Sequence, residues 1–485
     1  MSAPAATMSP LEPTRPRQAR LGWLRERGMG ASILVSALAA AFGVILVEVT
    51  AYLAAVLQSD PFIGDSEVLA IVVAILSVLL VAVAMYVAAI VTANTFSTII
   101  AGRTRRIALL RLIGASARSQ RAEVTGQGFV VGLIGAGVGL VVGVGFAALG
   151  VLAGELLLDR APAEFTLAQP GVLFPVVGVV LTTWLAAWIG SRRVLTVTPL
   201  QALGGSVERT HAEEAGRRGS HVGALVLIVA GAALLAAGVL LGLITPLGVV
   251  VAFFGGLFSF TGLATASPLF MPPVLRLVGR LFGNEATARL AAENALRYPE
   301  RSSRMAIGVV MGVALVTMFA VALESVKALL MRQSEGESFA PLDAFASIMM
   351  VLVAVSAVIA AVGLVNLLTI GVVQRRRELG LLRAIGLTSA QVRRMVLLEA
   401  VHITVAATLT GLALGIAYGW IAAQSLLGSV PVLPDFEPAG LVYPAVPWIP
   451  VVIIVVATAV LTVVAAVTPT RLATRVAPVE ALAAD

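Results

Sequence analysis

The sequence contains no cysteine and a single lysine, Lys327. Without cysteine the chain cannot form disulfides, zinc–thiolate sites or a thiolate nucleophile. A P-loop requires a lysine within Gly-x-x-x-x-Gly-Lys-Ser/Thr, whereas Lys327 lies in Glu-Ser-Val-Lys-Ala. The three histidines are scattered without the spacing of metal ligands. We therefore expect no enzyme activity in this chain, and no metal or other cofactor bound by it.

Charged residues are also scarce. They make up 12% of the 485 residues and hydrophobic residues make up 59%, whereas soluble domains carry about 25% charged and roughly 45–50% apolar residues. A soluble chain could not hide this much apolar surface from water. The composition excludes a soluble globular enzyme, and it also excludes a disordered chain, which needs low hydrophobicity and high charge.

Much of the sequence consists of long apolar runs. A helix needs about 20 apolar residues to cross a bilayer, and ten runs are of about this length or longer. We therefore predict an all-α polytopic membrane protein with about ten transmembrane helices. The runs are Ser32–Leu57, Val68–Ile100, Gly128–Leu152, Gly171–Gly190, Val222–Leu243, Gly248–Val274, Met305–Ala322, Ala344–Val373, Ala400–Leu427 and Pro444–Val467.

The positive charges lie almost entirely on one side of these spans. When the N-terminus and alternate loops are assigned to one side, that side holds all but three of the 33 Lys and Arg residues. The exceptions are Arg160, Lys327 and Arg332. The positive-inside rule then predicts that both termini are cytoplasmic. The arginines flank spans without interleaved aromatic residues, so we expect contact with membrane lipids and no nucleic-acid partner.

A direct repeat relates the two halves of the chain. The segment that begins at Arg103 aligns with the segment that begins at Arg375, 272 positions later. Each half predicts a unit of four spans, and the two units are parallel because four is an even number. The fifth and sixth spans form a central pair between the units.

These observations predict six divisions of the chain. They are a cytoplasmic Arg-rich N-terminal segment, a first four-span unit, a cytoplasmic linker, the central pair, a cytoplasmic amphipathic segment and a second four-span unit. Their predicted bounds are 1–30, 31–205, 206–221, 222–275, 276–304 and 305–485.

The repeated cytoplasmic segments, 103–116 and 375–388, are named here the first and second elbows. Each predicts a short amphipathic helix that ends at a glycine, Gly114 or Gly386, before a second helix begins. In the second elbow, Thr388 and Gln391 have the spacing of a capping box. An elbow either binds a cytoplasmic partner or only anchors the chain at the membrane surface; its recurrence favours a partner. The candidate partner-binding residues are Arg103, Arg105, Arg106, Leu110, Arg111, Gly114, Arg375, Arg376, Arg377, Glu378, Leu382, Arg383 and Gly386.

Two further features lie inside the predicted spans. Glu48 is the only carboxylate well inside a span. It is either an intramembrane polar site for a substrate or proton, or a residue in water at the outer end of the first helix. Glycines spaced four residues apart let helices approach closely in lipid. The glycines predicted to serve helix packing are Gly135, Gly139, Gly143, Gly411, Gly415 and Gly419.

The second copy of the repeat resembles a known family. Arg375–Gly386, followed by Gln391–Arg394, is similar to the signature of FtsX-like ABC-transporter permeases of the MacB, LolC/LolE and BceB types. The ending Pro478–Leu482 is also typical of that family. The first copy departs from the pattern, because Arg106 stands where the second copy has Glu378. The short external loops resemble the ten-span form without a large extracytoplasmic domain.

The resemblance implies a function for the elbows. In the family they are coupling helices that dock on a cytoplasmic ABC ATPase, here two copies per permease chain, and ATP and Mg²⁺ are bound by that ATPase. It implies a permease of the bacterial cell membrane that exports or extracts a lipid, antibiotic or antimicrobial peptide by mechanotransmission. The alternative is a transmembrane signal transmitter that regulates an external cell-wall hydrolase or sensor and carries no substrate.

Overall fold

The computed structural model describes most of the helical part of the chain. The described residues are 29–58, 104–158, 166–167, 169–192, 195, 218–281, 285–297, 299–333, 381–432 and 437–475, with single positions between 78 and 100. Their regular structure is almost entirely helical, and the described strands are two antiparallel two-residue segments.

The described elements are helices, with one 3-10 turn and two short strands. In chain order they are α1 (Met29–Gln58), α2 (Thr104–Leu112), α3 (Ala117–Leu158), a 3-10 turn (Pro170–Val172), α4 (Leu173–Gly190), α5 (Arg218–Gly242), α6 (Gly248–Gly279), α7 (Ala286–Arg297), α8 (Pro299–Gln333), α9 (Ser389–Leu427), β1 (Pro431–Val432), β2 (Glu437–Pro438) and α10 (Trp448–Arg475).

Seven helices within the described ranges are long and apolar enough to cross a membrane. They are α1, α3, α4, α5, α6, α8 and α9, and α10 carries a shorter apolar segment, Trp448–Val464. The predicted eighth span and most of the second lie outside the described residues. The prediction of an all-α polytopic membrane protein is confirmed; the number of ten spans, the cytoplasmic termini and the six divisions stay predictions.

The helices of the two predicted units pack in the same order. In the first, α1 packs against α3 and α3 against α4; in the second, α8 packs against α9 and α9 against α10. The central pair, α5 and α6, is joined by a turn at 243–247 in which the Thr245 N–H donates to the Leu241 carbonyl. Both helices of the pair contact α9, and α6 also contacts α8. The central pair therefore belongs structurally with the second unit.

Helix α6 contains three prolines, Pro268, Pro272 and Pro273. Proline has no N–H, so Pro268 cannot bond the carbonyl four residues before it, that of Ala264. The Ser267 hydroxyl donates to that carbonyl instead, at 2.9 Å. This side-chain bond keeps a backbone acceptor satisfied where water is scarce.

The connection between α9 and α10 folds back onto the helices. Gln424 is fully buried; its Nε2 donates to the Gly440 carbonyl and its Oε1 accepts from the Val442 N–H, both at 2.7 Å. The Ala445 N–H donates to Ser325 Oγ on α8, at 3.1 Å. One buried amide and one hydroxyl thus hold this connection against the bundle.

Candidate functional site

The first elbow is a short helix that ends in a Schellman motif. Gly114 has φ +102°, a conformation that strains residues with a side chain. The Ala115 N–H donates to the Leu110 carbonyl at 2.9 Å, and the Gly114 N–H donates to the Arg111 carbonyl at 3.2 Å. These bonds satisfy carbonyls that the end of the helix leaves open. The glycine is therefore required by the turn itself.

The second elbow repeats this geometry. Residues 381–384 are helical and Gly386 has φ +110°. The Leu387 N–H donates to the Leu382 carbonyl at 3.1 Å, and the Gly386 N–H donates to the Arg383 carbonyl at 3.2 Å. The two elbows thus form the same hydrogen bonds at positions 272 residues apart.

Each elbow leads directly into a capped membrane helix. In the first, Ser116 Oγ accepts the Ser119 N–H at 3.0 Å. In the second, Thr388 Oγ1 accepts the Gln391 N–H at 3.2 Å, and Gln391 Oε1 accepts the Thr388 N–H at 2.9 Å, which completes a capping box. Because only two residues separate the glycine from the next helix in each elbow, the elbow is firmly joined to α3 or α9.

Equivalent apolar side chains are exposed on the two elbows. Leu109 and Ile113 are 50% and 82% exposed, and their counterparts Leu381 and Ile385 are 55% and 70% exposed. Residues four positions apart lie on one face of a helix, so each elbow carries a two-residue apolar stripe. Leu112 widens the stripe of the first elbow. Such stripes are surfaces that either a bound partner or the membrane interface can cover.

The second elbow rests on α7, the amphipathic helix before α8. Leu382 and Leu387 pack against a cluster that contains Ala291 of α7 and Met395 of α9. The two terminal guanidinium nitrogens of Arg394 donate to the two carboxylate oxygens of Glu285, and the Nη2–Oε2 distance is 2.7 Å. This pair is half exposed and contributes modestly, so apolar packing supplies most of the support.

Two buried polar contacts strengthen the same region and were not predicted. Asn294 Nδ2 on α7 donates to Glu399 Oε2 on α9 at 2.7 Å. His402 is fully buried with its Nε2 2.7 Å from the Leu275 carbonyl oxygen. Glu399 and His402 are both buried, and each is bonded to a residue of another helix. Their partners lie more than 100 residues away in sequence, so no local pattern could have found these contacts.

The structure describes only some of the candidate partner-binding residues. Leu110, Arg111, Leu382 and Arg383 are half-buried, and both glycines are exposed. Arg105 and Arg106 belong to the first turn of α2. The residues outside the described ranges are Arg103, Arg375, Arg376, Arg377 and Glu378. The exposed stripe residues are not among the predicted partner-binding residues, although their four-residue spacing could have indicated that they share one helix face.

The six predicted packing glycines lie where pairs of helices approach closely. A Cβ added at Gly139 would lie 2.4 Å from the Ala37 carbonyl oxygen of α1. One added at Gly415 would lie 2.5 Å from Thr317 Cβ of α8. The nearest approaches at the other four positions are 2.5–2.8 Å; these positions are Gly135, Gly143, Gly411 and Gly419.

Glu48 lies on α1 and is fully buried. Its Oε1 accepts the N–H of Gln169 at 3.2 Å, in the residue that precedes the 3-10 turn before α4. The carboxylate is therefore buried within the protein at this connection, and its role as an intramembrane polar site stays a prediction. Its observed contact holds the connection before α4 against α1, as Ser325 of α8 does for the connection before α10.

Both elbows lie within regions that match a known family. Residues 78–199 and 348–478 match the family described as FtsX-like permease C-terminal, and together they make up more than half of the chain. The chain belongs to the FtsX-like permease family. No curated protein matches it in sequence. The central pair α5–α6 lies outside both matched regions.

Membership of this family indicates the broad role of this FtsX-like permease. Members of the family are generally non-enzymatic membrane subunits of ABC transporters or of related signalling complexes, and they work with an ATPase. Two matched regions in one chain agree with the repeat found in the sequence. Each matched region contains one elbow and the membrane helix that the elbow enters.

Proposed function

We propose that this chain is the permease subunit of an ABC transporter and that each elbow docks on one cytoplasmic ATPase subunit. The observation that carries the proposal is the pair of matched apolar stripes, Leu109 with Ile113 and Leu381 with Ile385. An apolar side chain gains about 1.5–3 kcal/mol when it leaves water completely. Two such side chains on each elbow supply a docking anchor, and the adjacent arginines supply charge complementarity.

The geometry behind each stripe suits the transmission of movement. The elbow glycine and the helix cap leave a short, hydrogen-bonded connection to α3 or α9. Helix α3 contains 42 residues and α9 contains 39, about 60 Å of helix each at 1.5 Å per residue. A displacement of the elbow by an ATPase would therefore reach the opposite membrane surface without crossing a flexible joint.

We further propose that the substrate is hydrophobic or amphipathic and is taken from the bilayer. The connection between α9 and α10 is held down by Gln424. Leu441 and Tyr443 of this connection, and Trp448 and Ile449 at the start of α10, are all well exposed. Aromatic residues of this kind favour the membrane–water boundary, which is where a lipid or amphipathic peptide would meet the protein.

The docking proposal is tested by placing a charge in each apolar stripe. In Ile113→Asp/Ile385→Asp, the altered side chains are exposed, so the permease should fold and insert normally. We expect at least a tenfold loss of co-purified ATPase, because two apolar anchors become charged. Ile244→Asp is the matched control: Ile244 is 80% exposed in the turn between α5 and α6.

The single variants test whether each elbow holds its own ATPase. Ile113→Asp alone and Ile385→Asp alone should each leave one ATPase per permease, measured by native mass spectrometry of the complex. Full ATPase occupancy in the double variant would overturn the docking proposal. Loss of both copies in a single variant would contradict the assignment of one ATPase to each elbow.

A further inference from the structure

A cavity of about 150 Å³ lies where the central pair meets the second unit. Its walls come from α5, α6, α8 and α9, together with described positions of the second predicted span. The cavity is separate from the elbows and lies within the part of the helices that is apolar enough to span the membrane. Representative lining residues are Leu235, Phe253, Phe260, Met311, Met318 and Ile421.

The polar groups in the cavity wall are directed into α6. The Tyr86 hydroxyl is 2.8 Å from Thr261 Oγ1, and the Tyr418 hydroxyl is 2.7 Å from Ser259 Oγ. These contacts tie both tyrosine hydroxyls to the helix. The surface left to a ligand is almost entirely carbon, and none of the described lining residues is charged. Such a surface offers nothing to a headgroup or a polar peptide.

Close packing of the central pair stops at this cavity. A Cβ added at Gly231 or Gly238 of α5 would approach the α6 backbone within 2.4–2.6 Å. One added at Gly256 of α6, a lining residue, would meet no atom within 4 Å. The position of Gly256 therefore leaves open space where this residue lines the cavity.

The cavity adjoins the outer surface of α6. The lining residues Phe253 and Leu257 are only half-buried, and Phe254 and Phe258 beside them in the chain are exposed. An apolar cavity of roughly 150 Å³ stays free of water and accepts small hydrocarbons. In a bilayer, acyl chains are present at this surface in great excess, and an unfilled cavity would forfeit dispersion contacts.

We propose that this cavity binds a segment of one hydrocarbon chain of a membrane amphiphile. The chain enters from the lipid side of α6 and ends among Phe260, Met311 and Met318. The proposal rests on the proposed function only for the source of the amphiphile, which is either a resident phospholipid or the transported substrate. Binding itself requires neither ATPase nor ATP.

The test uses the full chain in nanodiscs that contain a phospholipid with a diazirine near the end of one acyl chain. After illumination, cross-links are mapped by mass spectrometry. In the wild type we expect cross-links on cavity residues of α6 and α8. Gly256→Leu should reduce them at least fivefold, because its side chain occupies the open space. Ala422→Leu fills the cavity from α9 and provides a second test.

Gly137→Leu is the matched control. Gly137 is exposed on α3, and a Cβ added there also meets no atom within 4 Å. This variant should leave the cavity cross-links unchanged. Absence of cavity cross-links in the wild type would overturn the proposal. Cross-links that persist in full in both folded filling variants would do so as well.

A second arm separates the two sources of the chain and separates this proposal from ATPase docking. The wild-type permease with its ATPase is labelled before and after addition of ATP. Cross-links that fall on ATP turnover indicate a transported amphiphile, and cross-links that persist indicate a resident lipid; either result supports the cavity as the site. If the ATPase fails to bind the elbows, labelling of the permease alone still tests the cavity.

Discussion

Two glycines on α3, two residues apart, should respond oppositely to the same substitution. A Cβ added at Gly139 would lie 2.4 Å from the Ala37 carbonyl oxygen and 2.6 Å from Ala40 Cβ. One added at Gly137 would meet no atom within 4 Å. We expect Gly139→Ala to destabilise the protein, and Gly137→Ala to leave its stability unchanged or raise it.

The magnitude follows from two opposing contributions. Replacing glycine by alanine inside a helix favours folding by up to about 1 kcal/mol, and this applies equally to Gly137 and Gly139. At Gly139 the new methyl group meets backbone, which cannot rotate away, so α1 and α3 must separate. Overpacking of this kind costs about 1–3 kcal/mol. The two variants should therefore differ by about 1–3 kcal/mol in the free energy of unfolding.

The assay heats the purified permease and measures the fraction that stays monodisperse at each temperature, which gives an apparent Tm. The apparent Tm should decrease in the order Gly137→Ala, wild type, Gly139→Ala. Gly415→Ala repeats the test in the second unit, where the added Cβ would lie 2.7 Å from the Ala314 carbonyl oxygen. If Gly139→Ala were as stable as Gly137→Ala, the close approach of α1 and α3 would be refuted.

Two further predictions concern the outer connection and the second elbow. Gln424→Leu leaves the Gly440 carbonyl and the Val442 N–H without their side-chain partner. We expect the free energy of unfolding to fall by about 1–3 kcal/mol for each group and residues 428–447 to be cleaved faster by proteases. Gln424→Glu should be intermediate, because its carboxylate oxygen still accepts from the Val442 N–H. Gly386→Ala forces a side chain into φ +110°, which should cost roughly 1–3 kcal/mol and lower the apparent Tm, whereas Gly126→Ala, at a helical glycine with equally open space, should not.

The elbows show which structural features the local sequence can predict and which it cannot. The glycine, the capping residues and the apolar spacing predicted a helix, a break and a second helix. They do not determine which leucine faces outward: the sequence predicts Leu110 and Leu382 for the partner surface, whereas Leu109 and Leu381 are the exposed ones. The Schellman motif brings the residue before the last turn against the residue after the glycine. In the second elbow these residues are Leu382 and Leu387, which both pack on the cluster that contains Ala291 and Met395, whereas Leu381 and Ile385 are exposed.

Sequence alone determined the membrane class, the repeat and the position of the elbows, because each depends on local properties. Apolar length is matched to bilayer thickness, helix ends are set by hydrogen bonds over a few residues, and a repeat is visible as a constant offset. The tertiary structure decided the burial of Glu48, the support of the second elbow by α7 and the carbon-lined cavity. Each of these brings together residues distant in the chain, such as Tyr86 and Thr261, and no period in the sequence encodes which distant surfaces meet.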